Sequence, residues 1–411
     1  MPWKIESERQ QRGRFIQEWL RRKMALVELC RRSRISRKTG YKWIARFKAE
    51  GPRGLANRRR DAARVHNRPA AVWLARVRRW RVWHPCWGAR KLHWALRRRY
   101  GPCGVPSPAA IGRWLKAWEL SRQRTRQRHR GPVIERPSLT IARRPNEVWS
   151  VDFKGWFRTT DGTKIEPLTV RDMASRYIVA VELMRAESIR KTRQAFTRIF
   201  GVCGLPAVIR VDNGRPFGSS GARGLTQLSA WWVKLGIRVE FIAPGRPDQN
   251  GAHEQMHRVY KAETATPPAP SWLAQKRRTN RWRHLYNHER PHEALAMQCP
   301  AQLYRKSRRK LPARLPPWTY PPSWVTRLVK GKGMIALQGQ GRYVGEAFER
   351  ERVGLKRTTC GWAVYFGPLF IGELKANEHT GIHAVWFRKG PRRRGARKPK
   401  PSQAPRYPDT G

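Results

Sequence analysis

Two patterns of apolar residues divide this chain. Up to about residue 120 they recur at helical spacing, and from Trp149 onward they alternate as strands do. The first helical block runs Phe15, Ile16, Trp19, Leu20, Leu26, Val27, Leu29 and Cys30, and the second runs Tyr41, Trp43, Ile44 and Phe47. Ser36, between them, is a natural N-cap for the second helix. The pair predicts a helix-turn-helix whose second helix offers Arg37, Lys38, Thr39 and Lys42 at its exposed start, the end that meets base edges in the major groove. An ordinary three-helix domain with a solvated basic face is the alternative.

A linker of Gly, Pro and Arg, residues 51–60, precedes another helical stretch from about Pro69 to Leu120. Within it Ser107 caps a helix with Pro108 at its first position. The helix that follows carries Arg113, Trp114, Lys116 and Trp118, so this region reads as a second helix-turn-helix with its tryptophans in the core. After a basic connector, residues 121–147, strands are expected over Val148–Phe157, Pro167–Val170, Tyr177–Leu183, Ala207–Val211 and Ile237–Ile242. Helices are expected over Ser188–Phe200 and Leu225–Leu235 and from about Gln249. Three strands in a meander followed by alternating helix and strand give an α/β layer arrangement, the order of an RNase H-like fold. Short β-type runs after a Pro-rich boundary at 312–322 suggest a small β-barrel. The expected domains are therefore 1–60 and 61–130 (all-α helix-turn-helix modules), 131–315 (RNase H-like catalytic core), 316–385 (the barrel) and 386–411, a basic disordered tail.

Charge narrows the choice of partner. Of the 411 residues, 88 are Lys or Arg and 28 are Asp or Glu, for a formal net charge of +60 spread along the whole length. Such a field attracts a polyanion, and nucleic acid is the natural one. The six cysteines have no C-x-x-C spacing, which argues for reduced, buried thiols rather than a disulfide framework or zinc knuckle. Neither a signal peptide nor a membrane-length apolar run is present. A cytoplasmic, nucleoid-associated protein with no membrane partner is expected.

In a chain so poor in acids, three carboxylates draw notice: Asp152 in the first strand, Asp212 at the end of the fourth, and Glu254 early in a helix. Singly each has an ordinary reading as a sheet-face polar residue, a turn residue or a helix-dipole acid. If the first strand lies beside the fourth, Asp152 and Asp212 come together and a helix on the sheet brings Glu254 to them. Three such carboxylates repel unless cations sit among them, and Mg²⁺ or Mn²⁺ is the natural occupant. Two ions about 4 Å apart clamp the attacking and leaving oxygens of an in-line displacement at phosphorus. Arg258 and Lys261 share the Glu254 face of the helix; they either pair with Glu254 or hold DNA phosphates.

Trp149-Ser150-Val151-Asp152-Phe153, Asp212-Asn213-Gly214 with Pro216-Phe217, Pro247-Asp248-Gln249-Asn250-Gly251 leading to Glu254, and Asn287 through Leu295 together resemble the bacterial insertion-sequence transposases of the DDE superfamily, relatives of retroviral integrases. The resemblance implies Asp152, Asp212 and Glu254 as catalytic metal ligands for two Mg²⁺ or Mn²⁺ ions, and Lys261 as a DNA contact. It also implies terminal inverted repeats and target DNA as partners, and a homo-oligomer that pairs two ends. The interval between Asp212 and Glu254 is longer than in retroviral integrases, so an extra loop, Gly214–Gly224, is expected. No His-His-Cys-Cys module precedes the core; helix-turn-helix units stand in its place. A catalytically inactive repressor derived from such an element, or a structure-specific nuclease of the same fold, are the alternative readings.

Overall fold

The computed structural model describes residues 7–57, 70–121, 139–243, 247–378 and 381–384. The connector at 122–138 and the expected tail from 386 lie outside these residues. The chain divides into two compact units, Met1–Pro69 and Ala70–Gly411.

In the first unit, α1 (Glu8–Leu20), α2 (Leu26–Arg32) and α3 (Arg37–Glu50) close around Phe15, Ile16, Leu29, Cys30, Trp43, Ile44 and Leu55. The first apolar block is thus two helices, split at Arg21–Ala25. Ser36 caps α3 as expected, its hydroxyl accepting from the Thr39 amide at 3.2 Å. Gly40 has room for no side chain: an added Cβ would lie 2.5 Å from the Cys30 sulfur. That close approach lets α3 cross over α2.

The second unit begins with α4 (Ala71–Trp83), α5 (Ala89–Tyr100) and α6 (Pro108–Ala117), packed around Val77, Trp87, Leu92, Leu96, Ile111 and Leu115. Most of its tryptophans do pack into this core, while Trp83 stays 58% exposed. The Arg81 guanidinium ties the bundle together from inside, donating to the carbonyls of Trp87 at 2.7 Å and Leu120 at 2.5 Å.

The mixed sheet comprises β1 (Val148–Phe153), β2 (Phe157–Arg158), β3 (Lys164–Asp172), β4 (Ile178–Met184), β5 (Val208–Val211) and β6 (Arg238–Phe241). The meander β1–β3–β4 is antiparallel, and β5 and β6 join parallel to β1 on its other side. Parallel strands require crossovers, supplied by α7 (Ile189–Cys203) and α8 (Gln227–Lys234). These helices cover one face, where Trp149, Val151, Val170, Phe196, Phe200 and Trp232 form the main core. The other face, with Ile178 and Val181, is covered by α9 (Gly251–Thr264) and α10 (Trp272–His288) through Met256, Tyr260, Trp282 and Tyr286. Strand alternation therefore sends Trp149 and Val151 into the main core and Ser150 and Asp152 toward α9. A four-residue helix, α11 (Pro300–Leu303), follows.

The expected barrel does not close. Residues 325–384 form an open five-stranded sheet in the order β13–β12–β11–β10–β7 (His383–Ala384, Leu369–Lys375, Gly361–Phe366, Arg352–Thr358, Val325–Leu328). The hairpin β8–β9 (Met334–Leu337, Gln340–Tyr343) pairs only with itself. Closure is not needed because another surface covers the apolar face: Ala222, Leu225 and Ala230 of the catalytic core join Val353, Leu355, Phe366 and Leu374 in one cluster. The extra loop after Asp212 is thus a docking segment, fixed further by Arg223, whose Nε donates to the Phe370 carbonyl at 2.8 Å. All six cysteines are free, and the expectation of burial fails for Cys103 and Cys360, which are exposed. Among the described residues no helix is long and apolar enough to cross a membrane.

Candidate active site

β1 and β5 run parallel in register, Ser150 opposite Arg210. Two residues further along each chain stand Asp152 and Asp212, side by side at the same end of the sheet. The Asp212 turn is anchored from below by Phe217, which is 1% exposed and stacks on Phe153 of β1, ring centroids 5.6 Å apart. Asn213 ties the same turn to β6, its amide donating to the Ile242 carbonyl at 2.6 Å. Gly214 lies so close that an added Cβ would be 3.1 Å from a carboxylate oxygen of Asp212.

Glu254 sits in the first turn of α9 with its side chain exposed. The helix is placed by the face opposite that side chain. Arg171, 2% exposed, donates through Nη1 to the Ala252 carbonyl. His253 contacts the Ser150 hydroxyl through Nδ1 at 2.7 Å and the Thr169 hydroxyl through Nε2 at 2.6 Å. His257 reaches the same Thr169 hydroxyl through Nε2 at 2.7 Å. Burial holds both imidazoles neutral, His257 down to about 3 and His253 well below its usual range.

The electrostatics connect the three acids. The Asp152 carboxyl is pushed up to about 7, first by burial, then by the charges of Asp212 and Glu254. Asp212 is also raised, by burial. Among the described residues no cation lies within ion-pair distance of Glu254, so the pairing of Glu254 with Arg258 or Lys261 is not made. Both cations are exposed on α9. Lys154, two residues beyond Asp152 and outside the expected set, has its ammonium pushed down by burial and by the charge of Lys261, against the pull of Asp152. Its strand alternation with Asp152 was the signal. Arg37, Lys38 and Lys42 are exposed at the start of α3 in the other compact unit.

Asp152 has two further neighbours. Asn250 donates to its Oδ2 at 3.3 Å, and the Asn250 amide oxygen is itself buried with no hydrogen-bond partner. His257 Nδ1 lies 4.0 Å from the same Oδ2. Mutually repelling acids, one held half-protonated near neutrality, beside an orphaned amide oxygen make a donor set that suits a hard divalent cation. Among the described residues no three acid, His or Cys side chains already stand close enough together to hold a metal ion. His253-Glu254-Gln255-Met256-His257 also has the spacing of a metalloprotease zinc helix, a pattern that is weak without context. Here both Nε2 atoms that would meet on zinc are spent on Thr169.

Comparison with known proteins accords with this architecture. Two integrase core domain models match residues 142–247 and 235–300, and a helix-turn-helix domain model matches residues 11–63. An uncharacterized 31.7 kDa protein of insertion element IS407 from Burkholderia multivorans is 32% identical over 222 residues, 54% of this chain and 76% of that protein. The chain belongs to the bacterial insertion-sequence transposases with a DDE, integrase-type core. A second relative of these transposases, the uncharacterized 39.2 kDa protein of IS476 from Xanthomonas euvesicatoria, is 30% identical over 220 residues, 53% of this chain and 60% of that protein. Among solved structures, the catalytic core domain of HTLV-2 integrase in complex with magnesium is 17% identical, covering 39% of this chain and 98% of its own, with a TM-score of 0.32. A simian T-cell lymphotropic virus intasome chain covers 73% of this chain and 99% of its own at 17% identity and a TM-score of 0.34. Membership ties the transposase to DNA transposition and to the polynucleotidyl transferases, and its helix-turn-helix and integrase domains imply DNA binding.

Proposed function

We propose that this transposase cleaves DNA at the ends of its element and joins the freed 3′-hydroxyl to target DNA, both by in-line displacement at phosphorus without a covalent protein intermediate. Asp152, Asp212 and Glu254 are the catalytic residues and would together hold two Mg²⁺ or Mn²⁺ ions. Bound there, the ions supply Lewis-acid charge to the attacking and leaving oxygens. Lys261 and Arg258, exposed on the Glu254 helix, hold the backbone of the DNA end. The helix-turn-helix modules, residues 1–60 and 61–130, read the terminal inverted repeats, with Arg37, Lys38 and Lys42 as the contacts of the first. Two ends must be synapsed, so the working form is a homodimer or larger.

The observation that carries this reading is the parallel register of β1 and β5, which sets Asp152 beside Asp212, with both Asp212 and Glu254 near enough to raise the Asp152 carboxyl. Strand transfer of a labelled end oligonucleotide into plasmid, with Mg²⁺ or Mn²⁺, tests it. Joined product is expected from the wild type and not from Glu254→Gln. Tight binding of the end without product from either protein would assign a repressor; cutting that never leads to joining would assign a nuclease.

A further inference from the structure

Thr169 stands opposite Asp152 in the β1–β3 register, and its hydroxyl has three neighbours. They are the Asp152 carbonyl at 2.9 Å, His253 Nε2 at 2.6 Å and His257 Nε2 at 2.7 Å. A hydroxyl has one hydrogen to give and two lone pairs to offer. Only one assignment satisfies all three contacts: Thr169 donates to the carbonyl, which can only accept, and both imidazoles donate to Thr169. Both histidines therefore carry a hydrogen on Nε2, and in the neutral ring that leaves each Nδ1 bare. His253 Nδ1 is satisfied by the Ser150 hydroxyl at 2.7 Å. His257 Nδ1 meets no donor among the described residues; it lies 4.0 Å from Asp152 Oδ2.

With Asp152 ionised, as a metal ligand must be, such a pair repels unless something electropositive stands between. A single cation does so within reach, since two metal–ligand bonds of about 2.1 Å span up to about 4.2 Å. The far side of the ring carries the other mark of a ligating histidine, an N–H donated to a fixed acceptor that sets tautomer and orientation.

The geometry points to His257 Nδ1 as a nitrogen ligand of the metal ion held by Asp152, with Thr169 as the positioning residue that fixes its tautomer. This rests on the reading of Asp152 as a metal ligand. It adds a donor of a different kind to the carboxylate set. An all-oxygen site suits Mg²⁺, whereas an imidazole nitrogen tilts the site toward transition ions, so Mn²⁺ is held in preference to Mg²⁺.

Electron spin echo spectroscopy of the full chain loaded with Mn²⁺ alone tests this without reference to activity. Wild type is expected to show coupling from a directly bound ¹⁴N, replaced by the ¹⁵N pattern when the protein is made with ¹⁵N-histidine, an experiment that needs no substitution. His257→Asn, checked for folding by circular dichroism, is expected to lose the coupling and weaken Mn²⁺ binding about tenfold or more, with Mg²⁺ binding changed less. Mn²⁺ bound in an Asp152-dependent way but with no nitrogen coupling, or a coupling that survives His257→Asn, overturns the His257 assignment and leaves the carboxylate site standing. Mn²⁺ binding indifferent to Asp152→Asn overturns both.

Discussion

Arg290 donates to the Glu263 carboxylate at 3.2 Å, and the pair is almost wholly enclosed, with side-chain exposures of 6% and 14%. Glu263 lies in the last turn of the helix that carries Glu254, and its other oxygen accepts from Trp282 Nε1 at 2.8 Å. The second terminal nitrogen of Arg290 points to the Cys86 carbonyl in the α4–α5 turn, at 3.4 Å. One guanidinium thus bridges the second three-helix bundle and the catalytic helix. The surrounding cleft is lined from both sides, by Trp83, His84 and Trp87 and by Arg281, Trp282 and Glu289. Removing one partner of an enclosed pair leaves the other charge uncompensated, which typically costs about 3–5 kcal/mol. Arg290→Ala is expected to lower unfolding free energy by about 3 kcal/mol at the lower end of that range. Denaturant unfolding of Arg290→Ala, Glu263→Gln and the double variant checks it; additive losses would mean the two side chains are not coupled.

Lys91 of α5 lies in the same interface, its ammonium pushed down to about 8 by burial and then by Arg290, against the pull of Glu293 and Glu263. Between about 8 and 10.5 the unfolded chain keeps this proton and the folded chain has released it. Stability from this residue therefore rises with pH across that window and is lowest below it. Lys91→Met is expected to raise the melting temperature at pH 7, with the advantage shrinking as pH passes 8 and vanishing near 10.5. Calorimetric scans of both proteins over that range measure it, and an advantage independent of pH would rule out the buried ammonium charge as its cause.

The close approach of Gly214 to Asp212 makes a sharp test of the turn. At this position φ is negative, so a side chain brings no backbone strain, and the only conflict is the contact of 3.1 Å with the carboxylate. Gly214→Ala must therefore shift the Asp212 carboxyl by a few tenths of an ångström while leaving the fold intact. Strand transfer is expected to fall by about tenfold, less than the roughly 10²-fold of a misplacement near 1 Å, with the melting temperature little changed. Gel assays of product beside thermal melts separate this from simple unfolding.

What could be read ahead of the structure was local or periodic. The Ser36 and Ser107 caps depend on neighbours three residues away, and the seating of β1 beside β5 follows from short apolar strands joined through helices. The Thr169 hub depends on contacts 84 and 88 residues distant along the chain, which no spacing rule encodes. His253 and His257 offer in the sequence only their helical positions, which equally describe core histidines, and a zinc-helix spacing that the structure does not use for zinc. The expected barrel fails to close for a related reason. Alternating runs and glycines specify strands, but whether a sheet closes depends on what covers it, and in this chain Ala222, Leu225 and Ala230 do.

The first helix-turn-helix makes a prediction that separates reading from holding. Arg37 and Lys38 occupy the first positions of α3, and Lys42 lies a turn later with its ammonium 5.2 Å from the Trp43 ring. A side chain at the helix start reaches base edges, whereas one a turn back, resting on an aromatic ring, is placed for the phosphate backbone. Lys42→Ala is expected to weaken binding to terminal-repeat and unrelated duplexes alike and to reduce the salt slope of log K by about 0.9, one phosphate contact. Arg37→Ala should cost about 1–3 kcal/mol on the terminal repeat and less on unrelated DNA, which narrows the gap between them. Fluorescence anisotropy titrations of the full chain at several salt concentrations give both quantities. Equal losses on both duplexes from Arg37→Ala would reassign that residue to the backbone and leave the reading of bases to another element.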